Sequence, residues 1–546
     1  MDVVRGDRGG WATNGRRSKP RAPRAVPQSE IADPQATPYQ PSVEFVAAEI
    51  YPFAKTGGLA DVCAGLPDAL SGLGVDVRLT MPGYEEALDN AGRLTVAATL
   101  HNILGFDEVR ILEGRTPASG LPIRFVDIPA LYRNGGGLYV TEDGQERTDS
   151  AARFLALSAS VARMVAQDHH LGWSPDIVHC NDWHTGPIPA LLRDVPNSPR
   201  TVFTIHNMAF QGVFPMASLA PLDPPHADRM SREAEFYGKV SFLKAGLAFA
   251  DWLTAVSPTY RDEIKTPEFG CGLEGVLQSR AGNLTGILNG IDPDCWSPSN
   301  NPHLSYGYSA SDLAGKRASK LALQKELSLA QDDSRPLMTF VCRLTTQKMA
   351  DVLHESLPEI LAHVPDLQFA LLGQGDPALE DAFRGLARAY PDRVSVRIGY
   401  SEDAAHRMHA GGDMLMHGSR FEPCGLAPLY AMRFGTIPIV RAVGGLADTV
   451  VHATERTLSD GTANGFRFVD VTGGAMIAAV DEAVALYRQP VLWRRLQKIA
   501  MRCDFSWDRP AREYVQLYQK LTAVPTSPVR RRTPALAADT RSSMAV

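Results

Sequence analysis

The chain has 546 residues, of which 44% are hydrophobic and 21% are charged, a composition typical of folded globular proteins with room for two or three domains. A formal net charge of −6 argues against a dedicated nucleic-acid binder, because such proteins usually carry a basic balance. No run of about 18 uncharged apolar residues occurs, so we expect no membrane-spanning helix. The seven cysteines are odd in number and form no C-x-x-C pair, and the N-terminus lacks a signal-peptide core, so we expect a cytoplasmic protein.

Both ends of the sequence differ from the middle. Residues 1–41 are rich in Arg, Pro and Gly and have no hydrophobic periodicity, so we predict a disordered basic arm. Residues 524–546 have a similar composition and are predicted to form a second disordered tail. A tail of this kind can contact an anionic surface, but composition alone favours a solvated extension.

Six short apolar runs follow the arm, separated by helix-like stretches. Because the runs lack polar alternation, they are typical of strands buried on both faces, and helix-separated strands of this kind form parallel α/β sheets. The runs are residues 43–50, 75–81, 123–128, 176–180, 201–205 and 284–288. We therefore assign residues 42–289 to a first α/β domain.

A second group of apolar runs has the same character. These runs are residues 337–341, 367–372, 394–398, 414–416 and 437–440. Between the two groups, Asn289, Gly290 and Pro293 favour turns, which places a domain boundary near residue 290. Residues 290–505 form the predicted second domain.

Residues 506–523 have the pattern of a separate helix. Ser506 can cap it, and Tyr514, Leu517 and Tyr518 recur at helical spacing. The apolar face of this helix needs a surface to pack on. The helix can pack on the second domain or cross back to the first, and the spacing favours neither.

Polar residues that follow buried strands are the first candidates for a site, because ligands of parallel α/β sheets bind beyond the carboxyl ends of the strands. After the first run the sequence reads Lys55-Thr56-Gly57-Gly58-Leu59-Ala60-Asp61. Gly57 and Gly58 let a ligand approach free backbone N–H groups at a helix start, and Lys55 can neutralise a phosphate. The alternative interpretation is an ordinary turn with a surface lysine.

Two later strand ends also carry unusual polar residues. Asp182 can accept sugar hydroxyls, while His206, followed by Asn207, can donate to a hydroxyl or assist a departing group. Zinc binding by His179 and His184 is disfavoured, because they lack i, i+4 helical spacing and have no clustered third ligand. Taken alone, His206 also fits a hydrogen-bonded core histidine.

Similar candidates follow strands of the second domain. Arg343 and Lys348 are two cations in one loop, which suits a pyrophosphate, although solvated surface charges are the alternative. Gly375 lies in a Gly-x-Gly turn, a weak nucleotide-binding signal by itself. Glu422 precedes Gly425 at a predicted helix start, so the carboxylate can hold sugar hydroxyls and the helix N-terminus a phosphate. The joint pattern indicates a nucleotide-sugar bound in a cleft between the domains.

In combination, these motifs resemble those of bacterial glycogen synthases, a starch synthase-like family of ADP-glucose-dependent retaining glucosyltransferases. The matching segments are 55–61, 182–184, 206–207, 257–260, 289–292, 343–348, 419–426 and 444–449. The resemblance implies a GT-B fold, in which two Rossmann-like α/β domains face each other across a cleft. It places the glucan acceptor mainly on the first domain and the nucleotide-sugar mainly on the second, and it implies that the last helix crosses back.

The resemblance also assigns roles to individual residues. It implies that His206 binds near the reacting end of the glucose, that Glu422 holds the glucose, and that Arg343 and Lys348 stabilise the departing ADP. The residues implied in substrate binding are Lys55, Gly57, Gly58, Asp61, Tyr139, Asp182, Asn207, Asn289, Gly375, Cys424, Gly425 and Leu426. No metal or cofactor is implied, because ADP-glucose is a substrate. The implied partners are ADP-glucose and an α-1,4-glucan such as glycogen, with no nucleic acid and no membrane.

Five positions depart from the usual residues of the family: Met349 replaces Gly, Gly418 replaces Pro, Ala427-Pro428 replaces Thr-Gln, and Val443 replaces Thr. Several of them flank the expected phosphate pocket, so two hypotheses follow. The first is an active glycogen synthase that transfers glucose from ADP-glucose to the nonreducing end of an α-1,4-glucan with retained configuration. The second is a catalytically weakened glucan-binding or regulatory protein on the same fold. All the principal charged site residues remain, which favours the enzyme.

Overall fold

The computed structural model describes residues 40–141, 145–166 and 171–523. The predicted tail, and all of the predicted arm except residues 40 and 41, lie outside the described residues. Within the described ranges, no helix combines the length and the apolar character that crossing a membrane requires.

The first half of the chain folds around a nine-stranded sheet. The strands of this half are β1 (Ser42–Val46), β2 (Asp76–Pro82), β3 (Thr95–Ile103), β4 (Phe106–Arg115), β5 (Pro122–Asp127), β6 (Ile177–Asn181), β7 (Arg200–Ile205), β8 (Val213–Pro215), β9 (Glu235–Phe236), β10 (Lys239–Ser241), β11 (Trp252–Ala255) and β12 (Leu284–Gly286). The large sheet has the order β12-β11-β7-β6-β1-β2-β5-β4-β3, and a small sheet has the order β8-β10-β9. In the large sheet all neighbours are parallel except the β5-β4-β3 edge, which is antiparallel.

The second half folds around a six-stranded sheet. The strands are β13 (Leu337–Val341), β14 (Gln368–Gly373), β15 (Val394–Ile398), β16 (Met414–His417), β17 (Ile437–Arg441) and β18 (Phe466–Phe468). They lie in the order β15-β14-β13-β16-β17-β18, and every neighbouring pair is parallel. The prediction of two groups of buried parallel strands is therefore confirmed, and each group has its own hydrophobic core.

Helices connect the strands and cover the sheets, as parallel connections require. The α-helices are α1 (Gly58–Gly72), α2 (Glu85–Asn90), α3 (Pro129–Tyr132), α4 (Ser150–Ala166), α5 (Pro187–Leu192), α6 (Pro224–Glu233), α7 (Phe242–Phe249), α8 (Pro258–Glu263), α9 (Glu274–Ser279), α10 (Ala314–Glu326), α11 (Ala350–His363), α12 (Pro377–Ala389), α13 (Glu402–Gly411), α14 (Leu426–Arg433), α15 (Gly444–Thr449), α16 (Glu455–Asp460), α17 (Gly473–Tyr487), α18 (Pro490–Arg502) and α19 (Asp508–Thr522). Short 3₁₀ turns occur at Trp183–Thr185, Met216–Leu219, Ala281–Asn283 and Thr346–Lys348.

The last helix, α19, belongs to the first hydrophobic core. Tyr514 and Tyr518 are buried there, and the hydroxyl of Tyr518 lies 2.7 Å from Nδ1 of His179 on β6. The other ring nitrogen of His179 is 2.6 Å from the hydroxyl of Thr204. The helix begins at Asp508 with Trp507 in the N-cap position, and the expected capping residue Ser506, one position earlier, accepts with its hydroxyl from the backbone N–H of Asp508 at 3.4 Å.

The chain passes between the two halves at two places that lie side by side. The backbone N–H of Ile291 donates to the carbonyl of Phe505 at 2.8 Å. A Cβ atom on Gly290 would lie only 2.8 Å from the backbone around Ser506, so the two segments touch at backbone distance. Phe505 packs on the second core, whereas Trp507 is buried in the first. The division at residue 290 stays a prediction; the first sheet ends at Gly286 and the second begins at Leu337.

Candidate active site

A buried carboxylate fixes the loop before α1. Glu49 is 3% exposed and accepts three hydrogen bonds, from the backbone N–H of Thr56 at 2.6 Å, from the Thr56 hydroxyl at 2.7 Å and from the Tyr139 hydroxyl at 2.6 Å. The contacts define both the path of the loop and the position of the Tyr139 ring. Gly57 follows as the N-cap of α1, and Gly58 is its first residue. The loop thus presents its backbone in a fixed geometry at a helix start.

Lys55 lies between the two halves of the molecule. Its Nζ is 2.8 Å from Oδ1 of Asp61 on α1 and 2.9 Å from Oε2 of Glu402 at the start of α13 in the second half. Burial alone would lower the pKa of Lys55, but the Asp61 charge and the hydrogen bonds that Lys55 donates to Asp61 and Glu402 raise the pKa above its ordinary value. Lys55 is therefore a fixed cation at the interface between the halves.

An aromatic cluster surrounds Asp182 at the end of β6. The His184 ring stacks on Trp183 at 3.9 Å, and the rings of Phe154 and Tyr139 lie 4.7 Å and 5.3 Å from His184. Asp182 itself is buried with φ at +60°, and its Oδ1 has no hydrogen-bond partner among the described residues. Burial raises the pKa of Asp182 well above its ordinary value and lowers the pKa of His184. Burial thus disfavours the charged form of both groups, and a ligand hydroxyl can hydrogen-bond to the unpartnered Oδ1 of Asp182.

His206 at the end of β7 has a defined proton position. Its Nε2 lies 3.1 Å from Oδ1 of Asn181, whose amide nitrogen already donates to the carbonyl of Val46 at 3.1 Å. Because Oδ1 must accept, Nε2 carries the proton and Nδ1 is an acceptor. Burial lowers the pKa of His206 to about 3, so the ring is neutral at physiological pH. The backbone of the next residue, Asn207, is hydrogen-bonded to the Asp182 carboxylate, which joins the two strand ends.

Glu422 is the centre of the site in the second half. Its Oε2 accepts from Nζ of Lys348, from the hydroxyl of Ser419 at 2.8 Å and from Nε2 of His417 at 3.1 Å. Burial acts to raise the pKa of Glu422, but the Lys348 charge and the His417 contact hold it well below its usual range. Because all three bonds reach one oxygen, Oε1 remains for a ligand.

Contacts across the cleft bring the two sets of strand ends together. The side chain of Leu426, at the start of α14, lies 3.1 Å from the position of a Cβ on Gly58, so the first turns of α1 and α14 face each other. Gly425 has φ at +84° and no room for a side chain, since a Cβ would lie 2.6 Å from Leu446. The backbone of Asn289 is hydrogen-bonded to the thiol of Cys424, whose pKa burial raises to about 12.

Two predicted residues lie nearer the rim. The Arg343 guanidinium lies 6.0 Å from the ring of Phe210, and no carboxylate in the described ranges is within ion-pair distance of it. The backbone N–H of Gly375 donates to Glu380 at 3.0 Å, and Gly375 pairs with Leu344 in an isolated bridge. Arg343 is therefore a cation open to the cleft, whereas Gly375 belongs to the rim beside β13.

One group of described side chains has the spacing of metal ligands. Ligand atoms of Cys295, Glu402 and His406 lie within 4.8 Å of one another. Glu402 already pairs with Lys55, and Nδ1 of His406 accepts from the amide of Asn301 at 2.9 Å. Because the amide must donate, the neutral imidazole carries its proton on Nε2. Both groups are thus engaged within the protein.

Comparison with known proteins identifies the family. The model for the starch synthase catalytic domain matches residues 42–279, and the model for glycosyl transferases group 1 matches residues 324–471. Glycogen synthase from Burkholderia thailandensis is 52% identical over 481 residues, which cover 88% of this chain and 90% of the relative. The chain belongs to the glycogen synthase family. The glycogen synthase of Paramagnetospirillum magneticum is 46% identical over 483 residues, covering 88% of this chain and 97% of that protein.

A solved structure of the same family supports the fold. The catalytic domain of starch synthase IV from Arabidopsis thaliana, bound to ADP and acarbose, superposes with a TM-score of 0.80 at 31% identity. The match covers 89% of this chain and all of that chain. The GT-B fold and the glycosyltransferase activity of a glycogen synthase are therefore confirmed.

The structure adds site residues that the motifs of the glycogen synthase family did not indicate. Glu49 holds the loop of Lys55, Glu402 pairs with Lys55, and His417 donates to Glu422 beside Ser419, which already lies in the matching segment 419–426. The rule that polar residues follow buried strands could have found Glu402, which comes shortly after the run 394–398. Glu49 gave no such signal, because it lies inside an apolar run.

The positions that depart from the family pattern are accommodated by the fold. Met349 has φ at +53° and a fully buried side chain in the second core. A Cβ on Gly418 would lie 3.4 Å from Cβ and Sδ of Met349, so the two changes are neighbours. Pro428 is the third residue of α14, where a backbone N–H has no partner within the helix. No comparison favours the weakened-protein alternative.

Proposed function

We propose that this glycogen synthase transfers glucose from ADP-glucose to the nonreducing 4-hydroxyl of an α-1,4-glucan with retention of configuration. The observation that carries the proposal is the contrast between the two sides of the cleft. The second half holds Arg343, Lys348 and the anionic Glu422, while the first half offers Asp182, whose charged form burial disfavours, and His206, which is neutral. Cations on one side suit a nucleotide diphosphate, and neutral polar groups beside aromatic rings suit a sugar.

The cations supply the stabilisation that the leaving group needs. As the bond from the sugar to the diphosphate breaks, negative charge grows on the phosphate oxygens, and Arg343 and Lys348 are placed to stabilise it. Lys348 is held by Glu422, so its position is fixed before the substrate arrives. We propose that the reaction needs no resident metal or cofactor, because protein cations take this role.

A double-displacement route to retention would need an anionic nucleophile beside the glucose, and on the acceptor side that role would fall to Asp182. Burial raises the pKa of Asp182, which disfavours it as an anionic nucleophile, and His206 has a protonated Nε2 already committed to Asn181. We therefore propose a front-face reaction, in which the departing phosphate accepts the proton of the attacking hydroxyl. His206 and Glu422 act by orienting the glucose.

The ADP preference and the location are further parts of the proposal. The starch synthase structure was solved with ADP, which supports an adenine nucleotide for this chain. All seven cysteines lie in the described part and are free thiols, which supports a reducing compartment such as the cytoplasm. Cell fractionation followed by immunodetection tests the location.

A donor assay tests the central proposal. Purified protein is given radiolabelled ADP-glucose or UDP-glucose with glycogen, with and without EDTA, and the anomeric form of the new linkage is read by NMR. We expect incorporation from ADP-glucose above that from UDP-glucose, insensitivity to EDTA and an α-linkage. Equal or greater use of UDP-glucose would refute the donor assignment, and a β-linkage would refute retention.

Two matched variants distinguish a loss of catalysis at the site from a loss of folding. Glu422→Gln removes the anion that holds Lys348, whereas Glu482→Gln removes an exposed carboxylate on α17 whose ion pair, within the described ranges, is with the half-buried His452. We expect Glu422→Gln to lose transfer while both proteins remain folded. Normal transfer by folded Glu422→Gln would remove Glu422 from the site.

A further inference from the structure

A second concave surface lies outside the cleft, next to the segment where the chain crosses back. It has a volume of about 980 Å³ and is lined by α18, by the turn before β18 that includes Gly461 and Asn464, and by residues 503–505. We call it the crossover cavity. Its wall ends at Phe505, whose carbonyl accepts from Ile291 of the other crossing segment.

The crossover cavity is basic in a protein whose net charge is −6. Helix α18 contributes four cations to its lining, Arg494, Arg495, Lys498 and Arg502, against the single carboxylate of Asp504. Arg494, Lys498 and Arg502 follow each other at i, i+4 spacing, so they share one face of the helix. Like charges at this spacing repel each other, and an anion bound between them relieves the repulsion.

Among the residues that the structure describes, these four cations have no anionic partner. Arg494 donates to the carbonyl of Pro490 and Arg495 to the carbonyl of Ser459, both neutral acceptors. None of the four cations makes an ion pair within the described ranges, and Lys498 and Arg502 make no side-chain hydrogen bond there. The last two are thus the cations most available to a ligand.

The rest of the lining is apolar and solvent-accessible. Val491 is 75% exposed and Val451 is 38% exposed, and Ile499 and Phe505 are half-buried beside them. A surface with cations at one side and exposed apolar side chains at the other suits a small molecule that has both a phosphate and a carbon skeleton. The volume lies in the range of small-ligand pockets.

We propose that the crossover cavity binds a small organic phosphate, with Lys498 and Arg502 holding the phosphate and Val491 contacting the carbon skeleton. The site is separate from the donor cleft, since its lining shares no residue with the cleft residues described above. Charge-assisted bonds from two otherwise unpaired cations provide the affinity, and the apolar contacts distinguish organic from inorganic phosphates.

Calorimetric titration of the full chain tests the proposal. Saturating ADP is present to occupy the donor cleft, and the probes are glucose 6-phosphate and inorganic pyrophosphate. We expect saturable binding of glucose 6-phosphate, weakened at least about tenfold in the Lys498→Ala/Arg502→Ala double variant. The matched control is Arg388→Ala/Arg512→Ala, which removes two exposed arginines elsewhere and should bind like wild type.

A third variant separates the phosphate from the carbon skeleton. Val491→Ser should weaken glucose 6-phosphate while leaving pyrophosphate unchanged. Glucose incorporation without the probe should be normal in every variant, which shows that each is folded. The proposal is overturned if wild type binds no glucose 6-phosphate up to about 10 mM, if both double variants lose binding equally, or if Val491→Ser affects neither probe.

Discussion

Replacing Met349 by the glycine usual in the family should destabilise this protein. Met349 caps α11 with φ 53° and ψ 29°, and its side chain is fully buried. Loss of a buried methionine side chain costs about 2–5 kcal/mol of unfolding free energy. Glycine recovers about 1–2 kcal/mol of this, because a left-handed backbone is strained for residues with a Cβ. We expect Met349→Gly to lose roughly 1–4 kcal/mol, and Met349→Ala, which keeps the strain, to lose more.

The same side chain should couple to Gly418. A Cβ on Gly418 would lie 3.4 Å from Cβ and Sδ of Met349 and from Cε of Met476, which is the near limit of ordinary van der Waals contact. Gly418→Ala should therefore cost up to about 1 kcal/mol in wild type, because the methyl group fits only closely. In the Met349→Gly background two of those three atoms are absent, so the added methyl group fills space. The expected coupling energy is about 1–2 kcal/mol in favour of the double variant.

Urea unfolding of wild type, Met349→Ala, Met349→Gly, Gly418→Ala and the Met349→Gly/Gly418→Ala double variant measures these terms. Steady-state kinetics with the glucosyl donor are recorded on the same proteins, and we expect no gain in turnover, because the Met349 side chain lies in the core rather than in the cleft. Two results would refute the reasoning. One is strict additivity of the two substitutions, and the other is a Met349→Gly protein that is more stable or more active than wild type.

Three further predictions concern charged and titrating groups. Lys348→Ala should lower kcat about 10²- to 10³-fold with a smaller change in donor KM, because the Lys348 charge acts on the leaving group. A change confined to donor KM would show instead that Lys348 binds the ground state and the transition state equally. Lys55→Ala should raise donor KM roughly 10- to 150-fold, from the loss of about 1.5–3 kcal/mol of phosphate contact, with glucan binding intact by co-sedimentation; an unchanged donor KM would remove it from the site. Burial lowers the pKa of His179 in the folded protein from 6.5 to about 3. The contribution of neutral His179 to the unfolding free energy is therefore complete above pH 6.5 and is lost as the pH falls toward 3. Between about pH 7 and pH 5, wild type should therefore lose about 2 kcal/mol more unfolding free energy than His179→Gln, and equal losses in urea titrations would contradict this.

Strands buried on both faces were predictable from the sequence, and the exposed ones were not. The run 337–341 coincides with β13, and the run 394–398 coincides with β15. A short continuous apolar run in an α/β protein usually forms a strand that is buried on both faces. Strands β3 and β4 were missed, since most of their side chains are exposed or half-buried. Strand β11 was missed for a different reason: it follows the apolar helix α7 almost directly, and Asp251 is the only polar residue that separates the two apolar segments.

The site could be predicted one strand end at a time but not as an assembly. Asp182 and Glu422 were identifiable because each follows a buried run. The pairing of Lys55 with Glu402, by contrast, joins residues 347 positions apart in different halves of the molecule, and no local spacing encodes it. The pKa of Asp182 was equally hidden, because it depends on burial among side chains from other elements. Sequence motifs therefore identify the side chains that line a cleft, whereas the packing around those side chains determines their pKa values.

The docking of α19 on the first core has a consequence for synthesis in the cell. Strand β12 leaves the ribosome roughly 240 residues before the end of α19. At about 5–20 residues per second, the first half waits on the order of ten to fifty seconds for its last helix. During that interval the apolar surface that will receive Tyr514, Leu517 and Tyr518 stays uncovered. The first half therefore completes its folding only after the second half has been made, and until then its uncovered apolar surface exposes the nascent chain to aggregation.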